Sequence, residues 1–118
     1  ERGEGPPPPL EKAAGLYNKR AFTLAEPLLA KAYAGNPKNS LAAYYYSITL
    51  IEDKKETQAR AILQQLFQGE SAFKYDAAYY IALSYVKQKD NANAKKWLKN
   101  VPPGTSNYSK AKEFEEKL

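Results

Sequence analysis

Apolar positions in this chain recur at three- and four-residue intervals, in blocks separated by short polar, glycine- or proline-bearing turns. That spacing is the period of an amphipathic helix, and nothing in the chain alternates as a strand would. The blocks predict a first helix over about Leu10 to Lys19, with Leu10, Ala13, Ala14, Leu16 and Tyr17 on its apolar side. Gly15 inside it costs about 1 kcal/mol in propensity and suits a place where a neighbouring helix packs close. Thr23-Leu24-Ala25-Glu26 reads as a capping box that opens a second helix, running to about Tyr33. Pro27 lies in or just after its first turn and need not break it, and Gly35 with Asn36-Pro37 stops it.

Further helices are predicted over Leu41–Glu52, capped by Asn39 or Ser40, and Gln58–Phe67, capped by Thr57 and ended by Gly69. The next two cover Tyr75–Lys87 and Ala92–Val101, before Pro102-Pro103-Gly104 stops the chain. Ser106 or Asn107 then caps a last helix to Leu118, with Tyr108, Ala111, Phe114 and Leu118 on one side. Short turns between helices of this length force antiparallel neighbours. The prediction is an all-α fold of three antiparallel helical hairpins and a C-terminal capping helix, spanning 10–118.

The hairpins repeat one another. Displaced by 35 residues, Leu41–Leu66 lies over Asp76–Val101. Ala42-Ala43-Tyr44-Tyr45 then meets Ala77-Ala78-Tyr79-Tyr80, Lys54 meets Lys89, Ala59 meets Ala94 and Leu63 meets Leu98. Ser47 pairs with Ala82, Ile48 with Leu83, Ile51 with Val86 and Arg60 with Lys95. Self-similarity at this period is the mark of a stacked array. The repeats fall at about 10–39, 40–74 and 75–107, with the capping helix at 108–118.

This pattern resembles the tetratricopeptide repeat (TPR), a 34-residue unit with small and large apolar residues at fixed places and a proline near its end. The first unit supplies Ala13, Leu16, Ala25, Leu29, Ala32 and Pro37. The second supplies Ser47, Leu50, Ala59 and Leu63, but Leu66 replaces a small residue and Ser71 the proline. In the third, Ala82, Tyr85, Ala94 and Leu98 match, and Val101 and Ser106 depart. The small residues let paired helices approach closely. The resemblance implies a superhelix whose concave face is lined by the first helix of each hairpin.

The family's groove positions fall on Tyr17, Leu41, Tyr44, Ile48, Ile51, Tyr79, Leu83 and Val86, with Leu10, Ala14 and Asp76 at the remaining ones and Tyr45 and Tyr80 beside them. Tyrosine gives large contact area at low entropy cost, with a hydroxyl for pairing. The competing reading is that these tyrosines pack within the stack. The family's clamp for a C-terminal carboxylate needs cations where this chain has Leu10, Ala14, Tyr45, Asp76 and Tyr80, so that use is rejected.

Composition narrows the chemistry. The chain has 118 residues, enough for about one domain, with 43% hydrophobic and 26% charged residues. It lacks cysteine and histidine, which excludes disulfides, thiolate chemistry, imidazole-bound metals and every catalytic group that needs histidine. No glycine-rich phosphate loop, nucleophile elbow or metal spacing is present. No cofactor and no enzymatic activity are expected. Trp97 falls where core packing against Ile62 is expected.

Net charge is +5. Its densest patch, Lys87, Lys89, Lys95, Lys96 and Lys99, is a candidate contact for an acidic partner and otherwise a solvated face. Arginine is confined to Arg2, Arg20 and Arg60. Residues 1–9, with Pro6-Pro7-Pro8-Pro9, read as an extended arm or linker. The chain begins Glu1-Arg2-Gly3 and contains no methionine, so a processed or excised piece is expected, and any targeting or membrane segment would lie upstream. No apolar run is long enough to span a bilayer, so no membrane contact is expected from this segment itself.

Three functional readings follow. The first is a non-catalytic protein-interaction or scaffold module that takes a peptide or helix in an aromatic concave groove. The second is single-stranded RNA or another anionic ligand on a basic helical-repeat surface, against which stand apolar groove positions and scarce arginine. The third is homo-oligomerisation through the open ends of the stack. Unit order, charge and the final helix are also similar to TPR regions of bacterial single-span envelope proteins. That likeness implies a cell-envelope or periplasmic location, with the cytoplasm as the alternative.

Overall fold

A computed structural model describes residues 15–118. Residues 15–18 are helical and end the first expected helix; residues 10–14 of that helix and the proline arm lie outside the described residues. Six helices follow: α1 Phe22–Gly35, α2 Ser40–Glu52, α3 Glu56–Gln68, α4 Lys74–Lys87, α5 Asn91–Leu98 and α6 Tyr108–Lys117. Among the described residues there is no strand. From α2 onward each helix packs on the one before it, and α2 also meets α4 beyond α3. The fold is all-α, as the spacing of apolar residues predicts.

The repeat is written into the backbone as well as the side chains. Arg20, Lys54 and Lys89 are left-handed, with φ of 61°, 64° and 62°. After each, an amide reaches back five residues: Ala21 N to Leu16 O at 2.8 Å, Lys55 N to Leu50 O at 2.8 Å, and Asp90 N to Tyr85 O at 2.9 Å. That is the long bond of a Schellman turn, which usually places glycine at the left-handed residue. Here every such residue is a cation, suited to the negative end of the helix it terminates.

The core follows the small-residue positions. Ala25, Ala59 and Ala94 are fully buried, and four residues further on so are Leu29, Leu63 and Leu98. Ser47 and Ala82 are buried at the facing position of the first helix in their hairpins. One apolar cluster joins the first two hairpins to Ala77 and Ile81 of α4; a second holds Ala78, Tyr79, Ala82, Leu98, Val101 and Ala111. Trp97 and Phe67 pack against both clusters and meet edge-on with ring centroids 5.3 Å apart. Trp97 is therefore partly buried packing between hairpins.

Polar contacts lock neighbouring hairpins. Arg60 of α3 donates from Nη1 to Ser84 Oγ of α4 at 3.0 Å, and its guanidinium lies 4.1 Å over the Tyr85 ring. Asp76 Oδ1 accepts from Asn107 Nδ2 at 2.9 Å and Ser106 Oγ at 3.3 Å, holding the start of α4 to the start of α6.

Several expected caps are replaced, for one reason. The Schellman turn delivers the chain straight into the next helix, so α1 begins at Phe22 and α3 at Glu56, each upstream of its expected cap. Neither has a side-chain cap bond. Glu26 of the supposed capping box instead accepts from Lys55 Nζ at 2.6 Å, and Thr57 Oγ1 accepts from Arg60 Nη2. Pro27 consequently lies beyond the first turn of α1, at an exposed position. Asn39 is the cap of α2, accepting from the amides of Leu41 and Ala42. Asp90 caps α5, which starts at Asn91 and ends at Leu98. Ser106 and Asn107 make no cap for α6 because both reach Asp76. A Cβ at Gly15 would meet nothing within 4 Å, so among the described residues no helix approaches it closely.

Candidate partner-binding surface

The repeated Ala-Ala-Tyr-Tyr places two adjacent tyrosines near the start of α2 and two near the start of α4. Because α2 meets α4, these pairs join into one run of rings. Phe22 touches Tyr17 edge-on at 5.5 Å between centroids, and Tyr17 lies 4.8 Å from Tyr45. Tyr45 is 5.9 Å from Tyr44, which meets Tyr80 at 5.8 Å and 72°. Tyr80 is 5.3 Å from Tyr79, and Tyr79 is 6.5 Å from Phe114 of α6. Phe73, in the turn before α4, stacks on Tyr44 at 4.4 Å and 12°. Offset and edge-on contacts at these distances each contribute about 0.5–1.5 kcal/mol beyond burial. The outcome is an aromatic ladder that crosses the described hairpins.

Of the predicted groove residues, Tyr17, Tyr44, Leu83 and Val86 are partly exposed, and Leu41 is 37% exposed. Three are not surface. Ile48, Ile51 and Tyr79 are 4%, 2% and 5% exposed. Ile51 belongs to the first core cluster, and Tyr79 is closed over in the second, beside Ala111 and Phe114 of α6. In their place the partly exposed rings are Tyr45, Tyr80 and Phe73. The repeat alignment puts Lys38 opposite Phe73, so the repeat offers no template for it. The signal that could have flagged it is an aromatic residue in a turn directly preceding a tyrosine-rich helix.

Burial sets the state of the hydroxyls. It pushes the Tyr17 hydroxyl up to about 12, helped by Tyr80, Tyr45 and Glu52. Burial raises Tyr44 further, with Tyr80 and Asp76 adding to it. Tyr46, Tyr79 and Tyr80 are raised for the same leading reason. All five phenols are thus protonated at neutral pH. Asp76 acts on Tyr44 and Tyr80, and Glu52 on Tyr17 and Tyr80. Glu52 has Arg20 at 3.9 Å, and a hollow of about 430 Å³ beside it is also lined by Lys54 and Lys87.

Lys87, Lys89, Lys95, Lys96 and Lys99 are all exposed, and among the described residues none of them forms an ion pair. A separate pocket of about 390 Å³, lined by Tyr33, Pro37, Ser40, Ile62 and Leu66 among others, shares no residue with the ladder. Among the described residues no helix is long and apolar enough to cross a membrane.

Residues 16–70 match a family model described as the tetratricopeptide repeat. No curated protein and no solved structure matches the chain. The matched stretch contains two of the three Schellman turns and the buried pairs Ala25/Leu29 and Ala59/Leu63. The third hairpin, beyond the match, repeats both features at Lys89 and at Ala94/Leu98. Residues 16–70 are thus similar to the tetratricopeptide repeat, and the third hairpin continues the same architecture beyond the match.

Proposed function

We propose that this chain is a non-catalytic protein-interaction module that docks a protein segment on its aromatic ladder. Tetratricopeptide repeats are in general protein-interaction and scaffold modules, which supports the class. The observation that carries the site is the unbroken run from Tyr17 through Tyr45 and Tyr44 to Tyr80, joined at 4.8–5.9 Å per step, with each ring partly open to solvent. Rigid tyrosines with protonated hydroxyls combine apolar area and hydrogen-bond donors, the combination enriched where partner proteins bind. Leu41, Leu83 and Val86 extend the same surface with apolar area.

Affinity purification from the source lysate tests this, using wild-type bait and a Tyr44→Ala/Tyr80→Ala bait that retains its helical circular dichroism. Each is run with and without nuclease. A protein retained by wild type after nuclease, and lost with the double variant, is the expected result. A protein held equally by both baits would remove the ladder from the account. Recovery that disappears on nuclease treatment would favour the nucleic-acid reading.

A further inference from the structure

At Tyr44 and Tyr80 the charges that act on the rings are carboxylates, opposite in sign to the chain as a whole. Asp76 lies one helical turn before Tyr80 on α4, the spacing that puts two side chains on one face. Its Oδ1 is fixed by two neutral donors, Asn107 Nδ2 and Ser106 Oγ, and among the described residues it has no cationic partner within 4.0 Å. Other aromatic faces, that of Phe22 at the end of the ladder included, are filled by the protein's own cations. Arg20 lies 5.2 Å over Phe22, Arg60 4.1 Å over Tyr85 and Lys74 Nζ 4.8 Å over Phe67. Among the described residues no such cation sits over Tyr44, Tyr45 or Tyr80.

We propose that the ladder takes a basic peptide segment, with a Lys or Arg side chain seated between the Asp76 carboxylate and the faces of Tyr44 and Tyr80. This inference rests on the docking reading above and adds the charge of the partner. A cation there gains from the ring faces and the fixed carboxylate together. The cations closest along the chain are engaged elsewhere: Lys74 Nζ donates to Phe67 O at 2.6 Å, and Arg20 lies 3.9 Å from Glu52. Binding of a cation by a chain of net charge +5 is therefore a local effect and a discriminating one.

The test is a random dodecapeptide phage library panned on the wild-type chain and counter-selected on the Tyr44→Ala/Tyr80→Ala variant. Peptides that survive are expected to be enriched in Arg and Lys over Asp and Glu. Synthesised singly, they are expected to bind Asp76→Asn about tenfold more weakly. That variant keeps the size and the accepting oxygen that Asn107 and Ser106 use. Enrichment in Asp and Glu, or equal affinity for Asp76→Asn, overturns the proposed charge while leaving the ladder as docking surface. If counter-selection on the double tyrosine variant removes every peptide that binds wild type, the docking surface falls, and this proposal with it.

Discussion

Tyr44 of α2 and Tyr80 of α4 meet edge-on with ring centroids 5.8 Å apart, and this contact joins the aromatic pairs of two successive repeats. The two residues are not equivalent in the repeat: Tyr44 aligns with Tyr79, and Tyr45 with Tyr80. The ladder therefore advances one ring in register from one hairpin to the next. That offset leaves Tyr80 partly open while Tyr79 turns under α6.

The buried phenols make stability sensitive to alkali. In the folded chain Tyr17 is raised to about 12, and Tyr44, Tyr46, Tyr79 and Tyr80 are raised as well. An unfolded tyrosine ionises near 10. Below that pH both states hold their protons and these groups contribute no pH dependence. Above it the unfolded state releases protons first, so stability falls as pH rises from about 10 through 12. Phenolate absorbance at 295 nm, followed with circular dichroism, should show these tyrosines ionising late and together with unfolding. Ionisation of all ten tyrosines near 10 with structure intact would contradict the burial described.

Thr49 of α2 is fully buried, and its Oγ1 has no hydrogen-bond partner. Thr49→Val keeps the shape and removes the unpaired hydroxyl. The variant should be more stable by about 1 kcal/mol. Urea denaturation would show a higher midpoint at unchanged slope, and a lower midpoint would mean that the hydroxyl is bonded after all.

Lys54 and Lys89 adopt left-handed φ of 64° and 62°, which costs a side-chain-bearing residue about 1–2 kcal/mol. Lys54→Gly and Lys89→Gly should each raise stability by roughly 1 kcal/mol, less the favourable charge at the helix end. Since the sites lie in different hairpins and share no hydrogen-bond partner, the two gains should add. Thermal melts of both single variants and the double variant check this.

Helix number, hairpin order and the buried small-residue positions were legible in the sequence because each rests on periodicity, and periodicity survives without coordinates. Caps were legible only where the chain enters a helix through a loop, as at Asn39. Where a Schellman turn feeds the helix directly, Thr23 and Thr57 were misleading, since the helix has already begun. Register against the family named Tyr44 and Tyr17, which are partly exposed, but also Ile48, Ile51 and Tyr79, which are buried. Which tyrosine of each adjacent pair stays open depends on how α4 sits against α2 and α6, a tertiary relationship that a single-repeat template does not contain. Phe73 was missed because the repeat puts Lys38 at its place.

The most direct test of the central claim uses the protein partner recovered by wild-type bait, titrated calorimetrically against wild type, Tyr80→Ala and Lys95→Ala/Lys96→Ala. If the ladder is the docking surface, Tyr80→Ala weakens binding at least about tenfold, a loss of 1.4 kcal/mol or more. The lysine variant, away from the ladder, then binds like wild type. Unchanged affinity for Tyr80→Ala, with loss confined to the lysine variant, would contradict the account and move the partner to the basic patch.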